Sequence, residues 1–115
     1  MRRDRDRLAD ILEATTKIRA RVQHGRGRFD TDEDLQIVLT HLIQIIGEAA
    51  SRLSPDLTSA HPEVPWRQII GMRHRVVHDY FAIDPDILWT AAIRDIPPLA
   101  AHIHTILEAL PTEPS

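Results

Sequence analysis

The residues best equipped for chemistry sit in one stretch, Pro65-Trp66-Arg67-Gln68-Ile69-Ile70-Gly71-Met72-Arg73-His74-Arg75-Val76-Val77-His78-Asp79-Tyr80. The spacing predicts a helix over 65–80. On a wheel of about 100° per residue, Trp66, Ile69, Ile70, Val76, Val77 and Tyr80 all fall within about 60° of Arg73. Arg73 would then stand in the middle of an apolar stripe, where a charge is costly unless it is paired or faces a polar cleft. Glu48 and Asp95 are the carboxylates that a purely structural pairing would use. His74 and His78, one turn apart, would flank the stripe together with Arg67 and Gly71. Gly71 would leave room for close approach of a ligand's backbone. His78 would lie near the helix C-terminus, where the dipole favours imidazolium. An arginine, a histidine and a phenol bordering one cleft suit phosphodiester chemistry. Arg73 would stabilise charge developing on phosphorus, His78 would move protons at neutral pH, and Tyr80 would add a hydroxyl.

Other uses of the histidines fit the spacing less well. His74 and His78 at i, i+4 could bind zinc, and His102-Ile103-His104 is a second pair. There is no helical His-Glu-x-x-His, no cysteine and no evident third ligand, so no metal site is assigned. His102 and His104 would point to different faces of a helix. His24, His41 and His61 read as loop or surface residues. A serine hydrolase is disfavoured because the sequence has no nucleophile elbow.

Helices are the elements that must position these groups. Leu8, Ile11, Leu12, Thr15, Ile18 and Val22 predict an amphipathic helix over 4–23, ended by His24-Gly25-Arg26-Gly27. Asp30 or Thr31 is expected to cap a second helix, whose stripe runs from Leu35 through Val38, Leu39, Leu42, Ile45, Ile46, Ala49 and Ala50 to Leu53. Ser54-Pro55-Asp56 opens a short turn or one-turn helix up to His61-Pro62. Asp84-Pro85 opens another helix over 85–95, and Pro97-Pro98 should break or kink the pattern before Leu99, Ile103, Ile106, Leu107 and Leu110 resume it. An all-α bundle of four to five helices with short connections results, a single domain over 1–115 with its core at about 4–110 and a frayed tail at 111–115.

Composition narrows the function classes. The chain has 115 residues, 43% hydrophobic, enough for one buried core. Aromatic residues are 4% of it, too few for a base-stacking platform, and four glycines supply no phosphate-cradling loop. Without cysteine there are no disulfides or thiolate metal sites. No apolar run approaches the roughly 20 residues of a membrane span, and the charged start is unlike a signal peptide, so no membrane association and a cytoplasmic location are expected. The net charge of −3 conceals an asymmetry: residues 1–28 hold nine of the fourteen basic residues against four acids. That end could attract a polyanion, or be a solvated basic helix.

Arg73, four intervening residues and then His78-Asp79-Tyr80, in a Gly-Met-Arg-x-Arg-Val-Val-His-Asp-Tyr-Phe context, resemble the signature of HEPN-domain toxins, and most closely their HepT-like branch. The resemblance extends over about 4–110. It includes the opening Arg-Asp-Arg-Leu-Ala-Asp-Ile-Leu-Glu-Ala, Ile45-Ile46-Gly47-Glu48-Ala49-Ala50, His61-Pro62-Glu63-Val64-Pro65-Trp66 and Asp95-Ile96-Pro97-Pro98-Leu99. Four blocks in the right order make a specific match.

The resemblance implies a homodimeric HEPN bundle whose two motif copies share an interfacial cleft. It implies metal-independent endoribonuclease cleavage of RNA by 2′-hydroxyl attack, with Arg73 on the scissile phosphate and His78 as acid/base. It also implies a partner, an MntA-like nucleotidyltransferase antitoxin that adds AMP to Tyr80 from ATP; no cofactor is needed by the chain itself. Relatives often carry Asn after the motif arginine. His74 stands there instead, so the acid/base role stays open between His74 and His78, and His74, Arg75 and Arg67 are the groups that could assist RNA binding. Two other classes compete: a catalytically inactive dimer that is the binding partner or substrate module of a nucleotidyltransferase, and a small-ligand or metal-binding bundle. For the dimer seam, a charged residue at Val76 or Leu42 is expected to dissociate the two copies.

Overall fold

The computed structural model describes residues 3–78 and 82–111. Seven α-helices are described: α1 Asp4–Val22, α2 Gly25–Thr31, α3 Glu33–Ser51, α4 Pro55–Ala60, α5 Trp66–Val76, α6 Pro85–Thr90 and α7 Ile96–Ala109. A two-stranded antiparallel hairpin, β1 Val77–His78 and β2 Ala82–Ile83, lies between α5 and α6, and a π-helical turn Ala91–Asp95 joins α6 to α7. The fold is all-α.

α1 packs on α3 and α7, and α3 also packs on α5, so the four long helices make one bundle. Leu8, Ile11 and Ile18 from α1, Leu39, Ile43 and Ile46 from α3, Met72 and Val76 from α5 and Ile96 and Ile103 from α7 are fully buried. Each such side chain contributes roughly 1.5–3 kcal/mol of transfer free energy. Val76 and Leu42 are in this core (0% and 6% exposed). The expectation that a charge there would dissociate a dimer is therefore corrected: it would disrupt the protomer itself.

The helix ends follow from local chemistry. Gly25, at φ +86°, takes the left-handed conformation just after α1. Ser54 caps α4 by accepting from the Leu57 N–H (3.2 Å), and it is tied to the start of α1: its hydroxyl donates to Asp4 Oδ2 (2.6 Å) and its N–H to Asp4 Oδ1 (2.9 Å). Asp84 caps α6 by accepting from the Asp86 and Ile87 N–H groups, with Pro85 in the first turn.

Four expectations need correction. His24-Gly25-Arg26-Gly27, read as the end of the first helix, instead leads into α2 Gly25–Thr31, which buries Phe29 against Trp89 (ring centroids 5.1 Å apart). The cap of α3 is Asp32, one or two residues later than expected, accepting from the Leu35 N–H at 3.0 Å. Pro97-Pro98 does not interrupt the helix. Both lack an N–H, and the widened turn just before them, where the Ile96 N–H donates to the Ala91 carbonyl five residues back, lets the chain run on into α7. Last, the third long helix stops at Val76 rather than 80, and the chain leaves as β1; Asp84, just after β2, donates its N–H to the Val76 carbonyl (2.8 Å).

Candidate active site

The early end of α5 rearranges the motif. His78 is not one turn beyond His74 on a helix; it lies in β1, paired with Ala82, while Val77 pairs with Ile83. His78 is outside the helix, so it is not the helix C-terminal histidine that the sequence predicts. Tyr80 lies outside the described residues.

Arg73 is likewise not at the centre of a buried stripe. The buried arc of α5 is Ile69, Met72 and Val76. Arg73 stands beyond its edge, exposed, as does Ile70 one turn earlier. The wheel misplaced the arc by counting Val77, which lies beyond the helix, and leaving out Met72. Gly71 faces open space, with nothing within 4 Å of where a Cβ would be.

α3 and α5 run antiparallel at close range. Gly47 sits against the Ile69 and Ile70 carbonyls, Gln44 and Glu48 border Arg73, and Thr40 and His41 border Val77. Between α1, α3 and α5 is an open cleft of about 450 Å³ bordered by Arg7, Asp10, His41, Gln44, Glu48 and Arg73. His41 and Gln44 also border a larger groove of about 980 Å³ that reaches Val77 and Ile83, the first pair of the hairpin carrying His78. The two depressions share these two residues of α3, one reaching Arg73 and the other the base of the hairpin.

Charge in the cleft is partly committed. Glu48 Oε1 accepts from Arg52 Nε (2.9 Å), with Arg52 Nη2 2.7 Å away in the same ion pair. The Arg52 hydrogen bond and charge hold the Glu48 carboxyl below its usual range, against some desolvation, with smaller help from the charges of Arg73 and Arg7. Among the described residues neither Arg73 nor Arg7 forms an ion pair at contact distance. A structural Arg73–Glu48 pair is therefore not formed, and Asp95 faces Arg75 instead, at 3.9 Å. That contact borders a separate 200 Å³ depression, so Arg75 points away from Arg73. Arg67 and His74 are exposed on α5 and do not border the cleft.

Two residues of the site escaped the sequence. His41, read as a loop or surface residue, is a surface residue of α3, and with Gln44 and Glu48 it forms a polar i, i+3, i+7 row along the exposed face. Arg7 comes from the basic first helix, three residues before Asp10 on the same face. Other arginines of that end are structural: Arg5 Nη2 donates to the Leu110 and Pro111 carbonyls, and Arg26 bridges Asp30 and Asp86 over the rings of Phe29 and Trp89. His61 Nδ1 is 3.3 Å from Glu63, and His104 Nε2 is 2.9 Å from Glu108. Among the described residues, no three His, Asp or Glu side chains converge to hold a metal, and no helix is long and apolar enough to cross a membrane.

The fold is a helical bundle with an arginine-bordered cleft on α1, α3 and α5 and a hairpin that carries His78, and it is as a helical ribonuclease that it finds relatives. The ribonuclease HepT-like family description matches residues 11–106. A probable ribonuclease HepT of Thermococcus cleftensis is 35% identical over 99 residues, covering 85% of this chain and 90% of its own. A protein of Caldanaerobacter subterraneus subsp. tengcongensis, named as a candidate RNase, is 34% identical over 80 residues (70% and 71% of the two chains), and a similarly named one of Methanocaldococcus jannaschii is 29% identical over 100 residues (86% and 92%). No solved structure matches the chain. The chain belongs to the HepT-like ribonuclease family, a family of RNA-cleaving enzymes.

Proposed function

We propose that this chain is the endoribonuclease toxin of a type VII toxin–antitoxin pair, acting without metal and silenced by AMPylation of Tyr80. The observation that carries the reading is the placement of Arg73: exposed, outside any direct ion pair among the described residues, and on a cleft that shares His41 and Gln44 with the groove at the base of the hairpin in which His78 lies. An exposed arginine outside any contact ion pair, in the last turn of a helix, is suited to a phosphate, which its planar fork binds at two oxygens.

In the proposed reaction the substrate's 2′-oxygen attacks the adjacent phosphorus and its proton passes to a histidine, His78 in the first instance and His74 as the alternative. Arg73 stabilises the charge on the non-bridging oxygens. The bond from phosphorus to the 5′-oxygen breaks, and that oxygen takes a proton from an imidazolium, leaving a 2′,3′-cyclic phosphate and a 5′-hydroxyl. Two copies of the motif would face each other in a homodimer. Ile37, Val38 and Ile70, exposed apolar residues on α3 and α5, support a seam on this side of the bundle.

Silencing needs a nucleotidyltransferase partner. The Tyr80 phenolic oxygen would attack the α-phosphorus of ATP, pyrophosphate would leave, and the added AMP would fill the cleft with bulk and negative charge. Two readouts test the reading: cleavage of single-stranded RNA in EDTA with detection of cyclic-phosphate ends, and intact mass after incubation with a candidate nucleotidyltransferase, ATP and Mg²⁺. Cleavage products with those ends and a whole-AMP mass gain absent from Tyr80→Phe are expected. RNA left intact by unmodified protein would overturn the nuclease, and an unchanged mass would remove the covalent switch.

A further inference from the structure

Arg7 is a half-buried arginine in the first helix with no evident structural employment. Its Nε is inaccessible to solvent and has no hydrogen-bond partner among the described residues. A guanidinium nitrogen left in that condition is costly, because the lost hydration is not replaced. Two other arginines of the same end, Arg5 and Arg26, are fully employed by carbonyls and carboxylates. Arg7 differs from them in bordering the cleft of Arg73. Among the described residues no carboxylate pairs with Arg7 at contact distance: Glu48 is held by Arg52, and the Arg7 charge reaches it only from further off. Two guanidinium groups from different helices therefore face one opening of about 450 Å³, large enough for a stretch of phosphodiester backbone.

We propose that Arg7 is a second phosphate-binding residue, gripping a backbone phosphate next to the one held by Arg73, so that single-stranded RNA is bound across α1 and α5 rather than at the motif alone. The inference rests on the ribonuclease reading above and adds to it a subsite for a neighbouring nucleotide. Arg7 does not touch the reacting bond in this arrangement. It positions substrate, and its loss acts on KM and not on kcat.

The test uses full-length, unmodified protein with two single-stranded oligonucleotides of one sequence: an RNA for cleavage, and a fully 2′-O-methylated copy, which cannot self-attack, for binding. Arg7→Gln is expected to raise KM and the Kd of the methylated copy about tenfold with kcat within about twofold. The dependence of log K on log salt should fall by about 0.7, the contribution of one phosphate on a single strand. Arg7→Lys, which keeps the charge, should restore the salt slope, and it keeps the proposal testable if the glutamine variant folds poorly. An unchanged salt slope in Arg7→Gln, while wild-type protein binds and cuts RNA, overturns the role of Arg7 and leaves the nuclease intact. Wild-type protein that neither binds nor cuts overturns both.

Discussion

A methyl group placed on Gly47 of α3 would lie 3.2 Å from the backbone carbonyl oxygen of Ile70 in α5, closer than side-chain carbons ordinarily approach backbone. The absent side chain lets the two helices touch, and the touching point is one turn before Arg73. Gly47→Val would drive branched carbons into a carbonyl that cannot rotate away, a cost of about 1–3 kcal/mol by overpacking. We expect a lowered thermal midpoint, together with weaker RNA cleavage at temperatures where the variant is still folded. A midpoint equal to wild type would show that the crossing has slack.

Arg73→Ala and His78→Ala should each leave the melting temperature nearly unchanged while reducing RNA cleavage about 10²-fold or more, the usual scale for losing a charge-stabilising donor or an acid/base. If His74→Ala has the larger effect on the pH–rate profile than His78→Ala, the acid/base role belongs to His74.

Charged residues separate the core from the proposed seam. Val76→Asp buries an uncompensated carboxylate among Met72 and its neighbours and should cost about 3 kcal/mol or more, abolishing cooperative unfolding. Ile70→Asp, at an exposed position, should keep the helical circular dichroism and halve the mass seen by light scattering. Dimer mass retained in Ile70→Asp would move the seam elsewhere.

Asp32 gives a pH signature. Its bond from the Leu35 N–H, aided by Arg28, holds its carboxyl below the usual carboxylate range against slight desolvation. Because the folded value lies below the unfolded one, the charge stabilises the fold fully above the ordinary value of about 3.9, and the benefit is lost as pH falls through the lowered folded value. Asp32→Asn keeps a capping oxygen without the charge. The urea midpoint of wild type should exceed that of the variant at pH 7, and the gap should close toward pH 3. A gap unchanged across that range would locate the benefit in something other than charge.

Phe29→Ala removes a fully buried ring stacked on Trp89 beneath Arg26, and about 3–5 kcal/mol of stability should go with it. Chemical denaturation measures this directly.

Much of the bundle was legible because three/four spacing and caps carry it. α1 ends within one residue of its expected position, and Ser54-Pro55 and Asp84-Pro85 open helices as read. The chemistry-bearing segment was less legible. Val76-Val77 continues the helical phase, yet two β-branched residues in succession also suit a strand, and only pairing with Ala82-Ile83 decides between them. α2 was hidden because Gly25 and Gly27 read as breakers, and the burial of Phe29 outweighs them. Within the site, Arg73 was found by its motif. Arg7 and His41 belong to it through helix packing, which spacing along one chain does not express.

The widened turn Ala91–Asp95 has a consequence for insertions and deletions. Core residues on either side follow Leu88, Ala92, Ile96, Leu99, Ile103 and Ile106, with two successive steps of four where the turn is wide. Deleting one residue there would return the stretch to ordinary helical winding, and the seven steps then left between Leu88 and Ile96, at about 100° each, make two turns to within about 20°, so Leu88 would keep facing the core. The same deletion in the regular winding of α7 would instead swing everything upstream by about 100°, and the hairpin of His78, joined to α6 through Asp84, would be turned with it. The widened turn is thus the place in this stretch where a residue could be lost without misdirecting the motif.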